Sequence, residues 1–219
     1  MPATAYEVEV LQEWRSRRRA APAERRVERG GIPLRARTPL SALEPRGGQR
    51  EQFEALRGYV EWFPNNWRYG TGLCLAGPPG CGKTRLACAV AVQLIDRGYV
   101  CHYTTLADYV KLCMREMTFS RLIGGQDDDS AREEWNSLDD LKWIYNDATY
   151  LLVLDDVGKE HRGASGWAAS QFEYLLRHRY DAGLPTVITT NLQHKDWDGE
   201  YNPSMFSFLD EACPTVGFF

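Results

Sequence analysis

Eight residues restrict the fold of this chain more than any others. Gly77, Pro78, Pro79, Gly80, Cys81, Gly82, Lys83 and Thr84 spell GxxxxGK[ST], with an apolar run at 72–76 before them and an alanine-rich stretch at 84–97, ended by Gly98, after them. The run reads as a strand and the stretch as a helix, which is the context this pattern requires. Glycines let the backbone turn its N–H groups inward as a nest for phosphate oxygens, and the helix start adds its positive dipole end. In such a loop Lys83 reaches the β and γ phosphates and the Thr84 hydroxyl faces Mg²⁺. Cys81 stands at a variable position and reads as a small filler.

A second apolar run, Tyr150-Leu151-Leu152-Val153-Leu154, ends in Asp155 and Asp156. A buried strand delivers such carboxylates to the C-terminal edge of a parallel sheet, where phosphates bind. Asp155 is therefore expected to hold Mg²⁺ and Asp156 to polarise an attacking water. A third run, Thr186-Val187-Ile188-Thr189-Thr190, ends at Asn191. If the Asp155 strand neighbours the phosphate loop, Asn191 is placed to hydrogen-bond the γ phosphate or that water.

Strands at 72–76, 99–105, 151–155 and 185–190 alternate with helices at 84–97, 106–117 and 167–182, and a further helix begins near Gln49. That order predicts an α/β fold, a doubly wound parallel sheet with flanking helices. At 219 residues the chain holds one such domain and an appendage. No apolar run approaches the ~18 residues that span a bilayer, and no signal pattern opens the chain, so it is expected to be cytoplasmic with no membrane partner. The six cysteines include no CxxC pair and read as reduced thiols. The acidic run at 124–140 reads as a solvated loop and helix start.

The net charge of −4 hides an asymmetry: residues 1–50 carry eleven arginines against six acids, which leaves −9 for the rest. Three parts follow: a basic helical arm at 1–30, broken near Pro22; a Gly/Pro-rich linker at 31–48; and a nucleotide-binding domain at 49–219. Arginines around Trp14 suit contact with single-stranded DNA, docking on a partner protein, or a solvated tail.

The phosphate loop, LLVLDDVGKE, QFEYLLRHRYDAG and LPTVITTN, in this order, resemble the ATP-binding domain of the DnaC/IstB branch of AAA+ ATPases over roughly residues 31–210. This branch includes replicative helicase loaders of bacteria and phages and ATPase subunits of transposons. The resemblance implies an AAA+ P-loop ATPase that binds ATP and Mg²⁺, self-associates on its partner and loads a hexameric replicative helicase onto DNA. An IstB-type activator of a transposase is the alternative, and a P-loop small-molecule kinase a more distant one. It also implies Lys83 and Thr84 as the Walker A pair, Asp155 and Asp156 as the Walker B pair, and Asn191 as sensor 1. Two departures imply slow hydrolysis. Phe208 stands where the loaders carry a trans-acting arginine, worth about 10³ to 10⁵ in rate in other NTPases, unless Arg162, Arg177 or Arg179 substitutes. The chain also stops at Phe219, with no C-terminal lid domain expected.

Overall fold

A computed structural model of the chain describes residues 5–123, 129–159, 166–193, 196–197, 201 and 203–218. Five parallel strands form its sheet: β1 (Leu73–Ala76), β2 (Cys101–Thr105), β3 (Leu151–Val157), β4 (Thr186–Thr190) and β5 (Thr215–Gly217), in the order β2-β3-β4-β1-β5. Consecutive residues point to opposite faces. Leu73, Leu75, Leu151, Val153 and Val187 enter one core with α3 (Arg50–Glu61) and α5 (Lys83–Asp96). Cys74, Ala76, Leu152, Leu154 and Ile188 enter the other, with α6 (Leu106–Ile123), α8 (Trp167–Asp181) and α9 (Pro203–Ala212). Burial on both faces is why these strands read as unbroken apolar runs.

The Asp155 strand does not neighbour the phosphate-loop strand, because β4 lies between them and pairs with both. Asn191 therefore leaves the sheet between the two motifs. Strand β5 escaped the sequence reading because it is only three residues long.

Residues 31–48 are not an extended linker. Ile32 and Leu40 are each 1% exposed and pack with Ala36 and Leu43 into the α5 core. Pro33 and Pro39 precede two 3₁₀ turns, Leu34–Ala36 and Leu40–Ala42, and their fixed φ prepares the first turn. Gly30 comes so close to edge strand β2 that a Cβ would stand 2.6 Å from the Cys101 carbonyl oxygen. There the Tyr103 N–H donates to the Gly30 carbonyl at 2.7 Å, so the chain covers an edge otherwise open to pairing.

The arm is two helices, α1 (Ala5–Arg19) and α2 (Ala23–Arg29), with Pro22 as the N-cap residue of the second. It lies against the domain itself. Arg15 donates to the carbonyls of Ala148 (2.9 Å) and Asp147 (3.2 Å) in a π-helical turn, Ile144–Ala148, and stacks 4.0 Å over Tyr150. Trp14, whose arginine-rich surroundings suit DNA contact, partner docking or a solvated tail alike, stacks on His102 and meets Trp143 edge-on. Most of the acidic run is helical, as α7 (Asp129–Trp143); residues 124–128 lie outside the described residues. Α7 is tied to α6 by Lys142–Glu116 at 2.8 Å and by Arg115–Glu134.

Arg179 is fully buried at the N-terminal edge of the sheet. Its guanidinium donates to the carbonyls of Tyr145 (2.6 Å), Asn146 (3.4 Å), Thr149 (3.2 Å) and Pro185 (2.9 Å) and to the Thr186 hydroxyl (3.0 Å). Burial lowers its pKa to about 9, which leaves it charged at neutral pH. Arg179→Ala strands these acceptors without water, so it should cost about 3–5 kcal/mol in denaturant unfolding. A loss under 1 kcal/mol would refute this structural role.

All six cysteines are free, and five are buried. Among the described residues no helix is long and apolar enough to cross a membrane, and no three His, Cys, Asp or Glu side chains converge as a metal cluster.

Candidate nucleotide site

The site stands on the C-terminal edge of the sheet, where β1 gives way to the loop 77–82 and then to α5. Gly80 and Gly82 have φ of 82° and 98°, values that side-chain-bearing residues rarely adopt. Gly82 is the N-cap residue of α5, and no side-chain hydrogen bond caps that helix. Its first N–H groups therefore face the loop without a side-chain acceptor, an arrangement that suits an anion.

Lys83 is only 6% exposed, and its ammonium group turns back into the loop. It donates to the carbonyls of Gly77 (2.7 Å) and Pro78 (2.9 Å) and lies 3.7 Å from Cys81 Sγ. Carbonyl dipoles thus solvate the charge at the point where phosphates are expected. Pro78, Pro79 and Gly80 form the exposed crown of the loop.

Asp155 is 3% exposed. Thr84 Oγ1 donates to its Oδ1 at 2.8 Å, Thr189 Oγ1 to the same oxygen at 2.5 Å, and the Tyr103 hydroxyl to Oδ2 at 2.8 Å. Burial first, and then the Asp155 charge, push the Tyr103 phenol up, so it remains a neutral donor. Thr189 also accepts from the Asp156 N–H at 3.1 Å. Neither Tyr103 nor Thr189 was expected in the site. A strand as buried as β4 with three threonines was the available signal, because buried hydroxyls need partners.

Asp156 is the only non-glycine with positive φ, 60°, among the described residues. It sits where the β3–β4 register shifts between Leu154 and Val157. The bulge turns the Asp156 carboxylate out of the sheet, where Lys159 Nζ meets Oδ1 at 2.6 Å. Backbone strain of order 1–3 kcal/mol at one residue is characteristic of functional sites. Half-buried Asn191 follows β4 on the same edge.

Beside the loop is a cavity of about 240 Å³ lined by Ala42, Leu43, Gln49, Phe53, Cys81 and Leu86, among others. Gln49 Nε2 donates to the Cys81 carbonyl at 2.9 Å and ties this wall to the loop. The segment expected to be a linker supplies much of the lining. Its apolar wall of Leu43, Phe53 and Leu86, flanked by the charged Glu44, Arg46 and Arg85, is suited to a nucleobase beside the phosphate loop.

The substitutes for a missing arginine also separate. Arg179 is committed to the fold, Arg162 lies outside the described residues, and Arg177 pairs with Glu173 (2.9 Å) and stacks 4.3 Å over the Phe208 ring.

A model of IstB-like ATP binding proteins matches residues 66–207, from α4 (Phe63–Arg68) through the phosphate loop and the paired aspartates into α9. The chain belongs to that family. It is 26% identical over 189 residues to an insertion sequence IS21 ATP-binding protein of Pseudomonas aeruginosa, covering 85% of this chain and 61% of that protein. A second relative, an insertion sequence ATP-binding protein of Sinorhizobium fredii, is 28% identical over 140 residues, 62% of this chain and 39% of its own length. The chain thus spans less than two thirds of either. The fold is like that of the DnaC helicase loader (TM-score 0.67, 23% identity, 85% of this chain and 100% of that one) and of DnaI (0.63, 20%, 86% and 95%). AMPPCP-bound DnaA from Aquifex aeolicus shares it too, at a TM-score of 0.61 and 18% identity, over 83% of this chain and 50% of that one. The protein is thus an IstB-like ATP-binding family member whose fold is shared with DnaC, DnaI and DnaA.

Proposed function

We propose that this family member hydrolyses ATP slowly and uses its nucleotide state to engage a transposase on DNA. The observation that carries the nucleotide chemistry is the bond from half-buried Thr84 to buried Asp155, 2.8 Å long, beneath the loop. One hydroxyl and one carboxylate are hard oxygen donors that suit Mg²⁺, which keeps several of its waters. Thr84 directly and Asp155 through water would hold the ion, whose charge would offset that of the phosphates. Lys83 leaves the carbonyls of Gly77 and Pro78 for the β and γ phosphates, and Asp156 takes the proton of the attacking water while Asn191 orients it. Arg177 is the candidate cation for a neighbouring subunit's site, which makes hydrolysis depend on self-association.

The names of the two insertion-sequence relatives support a transposase partner. Likeness to the whole DnaC helicase-loader chain supports the second reading, loading of a hexameric helicase. The paired Asp155 and Asp156 and the polar strand end Thr189-Thr190-Asn191 suit activation of a water rather than transfer to a small-molecule acceptor, so the kinase reading is set aside. Copurification from the native host tests the partner. A transposase should elute with the chain in MgATP and be lost with Lys83→Ala; a helicase eluting in its place would favour the second reading, and neither would refute both.

A further inference from the structure

On the sheet edge opposite the nucleotide site, Arg18, Arg26 and Arg29 surround a recess walled by Tyr99, Val100 and His102. Among the described residues, no carboxylate lines it and the Nε of Arg26 is buried with no hydrogen-bond partner. Three cations share this space without an anion. Burial, and then the Arg29 charge, lower the Arg18 pKa. His102, held at about 3 by burial and then by Arg18 and Arg179, is neutral and adds no charge. The arrangement fits an anion with several acceptor oxygens, as arginines bind phosphate.

The size of the recess narrows the ligand. Its inner volume of about 10 Å³ seats one oxygen, so the rest of the ligand lies on the surface outside. That surface alternates aromatics with arginines. Beneath it, the buried Tyr150 ring meets Tyr99 at 5.7 Å and Trp67 at 4.9 Å, with Arg15 and Arg19 over it. Around α4 (Phe63–Arg68), Trp62 is 66% and Tyr69 65% exposed, with Arg68 over the Tyr69 ring. Exposed rings beside arginines are what stacked bases and a charged backbone require.

We propose that Arg18, Arg26 and Arg29 hold a backbone phosphate of single-stranded DNA whose bases pass over Tyr69 and Trp62. The site rests on the reading that the chain works on DNA and adds where the strand binds.

The test is fluorescence anisotropy of a labelled 20-nucleotide strand with the full chain, from 50 to 200 mM salt. Arg18→Gln/Arg26→Gln/Arg29→Gln should weaken binding about tenfold or more and flatten the salt slope by about 0.7 for the phosphate lost. Affinity for a fluorescent ATP analogue should not change. Exposed Arg29→Glu alone should flatten the slope while leaving the melting temperature unchanged, which separates binding from folding. Tyr69→Ala should weaken binding about fivefold or more with the slope intact. Normal DNA binding by the arginine variants would overturn the site and leave the DNA reading standing. A wild-type chain that binds no strand at 50 mM salt would overturn both, and displacement of DNA by inorganic phosphate at matched ionic strength would reassign the recess to a free anion.

Discussion

Replacing Lys83 by alanine should weaken MgATP binding about 100-fold or more in calorimetry. The Lys83 ammonium is buried and held only by groups of its own loop, the carbonyls of Gly77 and Pro78 and the Cys81 sulfur. When phosphate binds, the ammonium faces anionic oxygens in place of these neutral acceptors, and hydrogen bonds to charged groups are worth about 1.5–3 kcal/mol each. Two such bonds correspond to about 10²-fold or more in affinity. The variant should still fold, because the sheet and both cores make no use of the ammonium group. Unchanged affinity would move the phosphates off this loop.

Asp156→Asn should keep MgATP affinity within a few-fold and lower turnover by about 10² to 10⁴, the usual worth of a positioned base. Asparagine is the informative replacement. At φ 60° most side chains are strained, whereas asparagine tolerates the left-handed region, and the Asp156 N–H bond to Thr189 is retained. Loss of turnover would then report lost chemistry rather than a collapsed bulge. Steady-state phosphate release measures it, and hydrolysis at the wild-type rate would assign the base elsewhere.

The loop, both aspartates and the parallel sheet were legible because each is a local pattern: glycines where φ is positive, and apolar runs bounded by turns. What was missed depends on distance in the chain. Proline and glycine at 31–48 mark tight turns as readily as slack chain, and only the burial of Ile32 and Leu40 against α5 separates the two. Arg177 and Arg179 are two residues apart on one helix, yet one stacks on Phe208 and the other is sealed among carbonyls. Tyr103 gave no sign of its bond to Asp155, 52 positions away. The basic arm invited readings about external partners, while part of its charge is satisfied within the molecule, by Arg15 on the carbonyls that end the π-helical turn.

In the proposed site one nucleotide spans the loop 77–84 and the cavity that residues 42–53 line together with the start of α5. Amide hydrogen exchange with and without MgATP tests it most directly. Slowed exchange in both segments, and at Asp155 and Asp156, is the expected result; saturating MgATP that leaves exchange in 42–53 and 77–86 unchanged would place the nucleotide elsewhere.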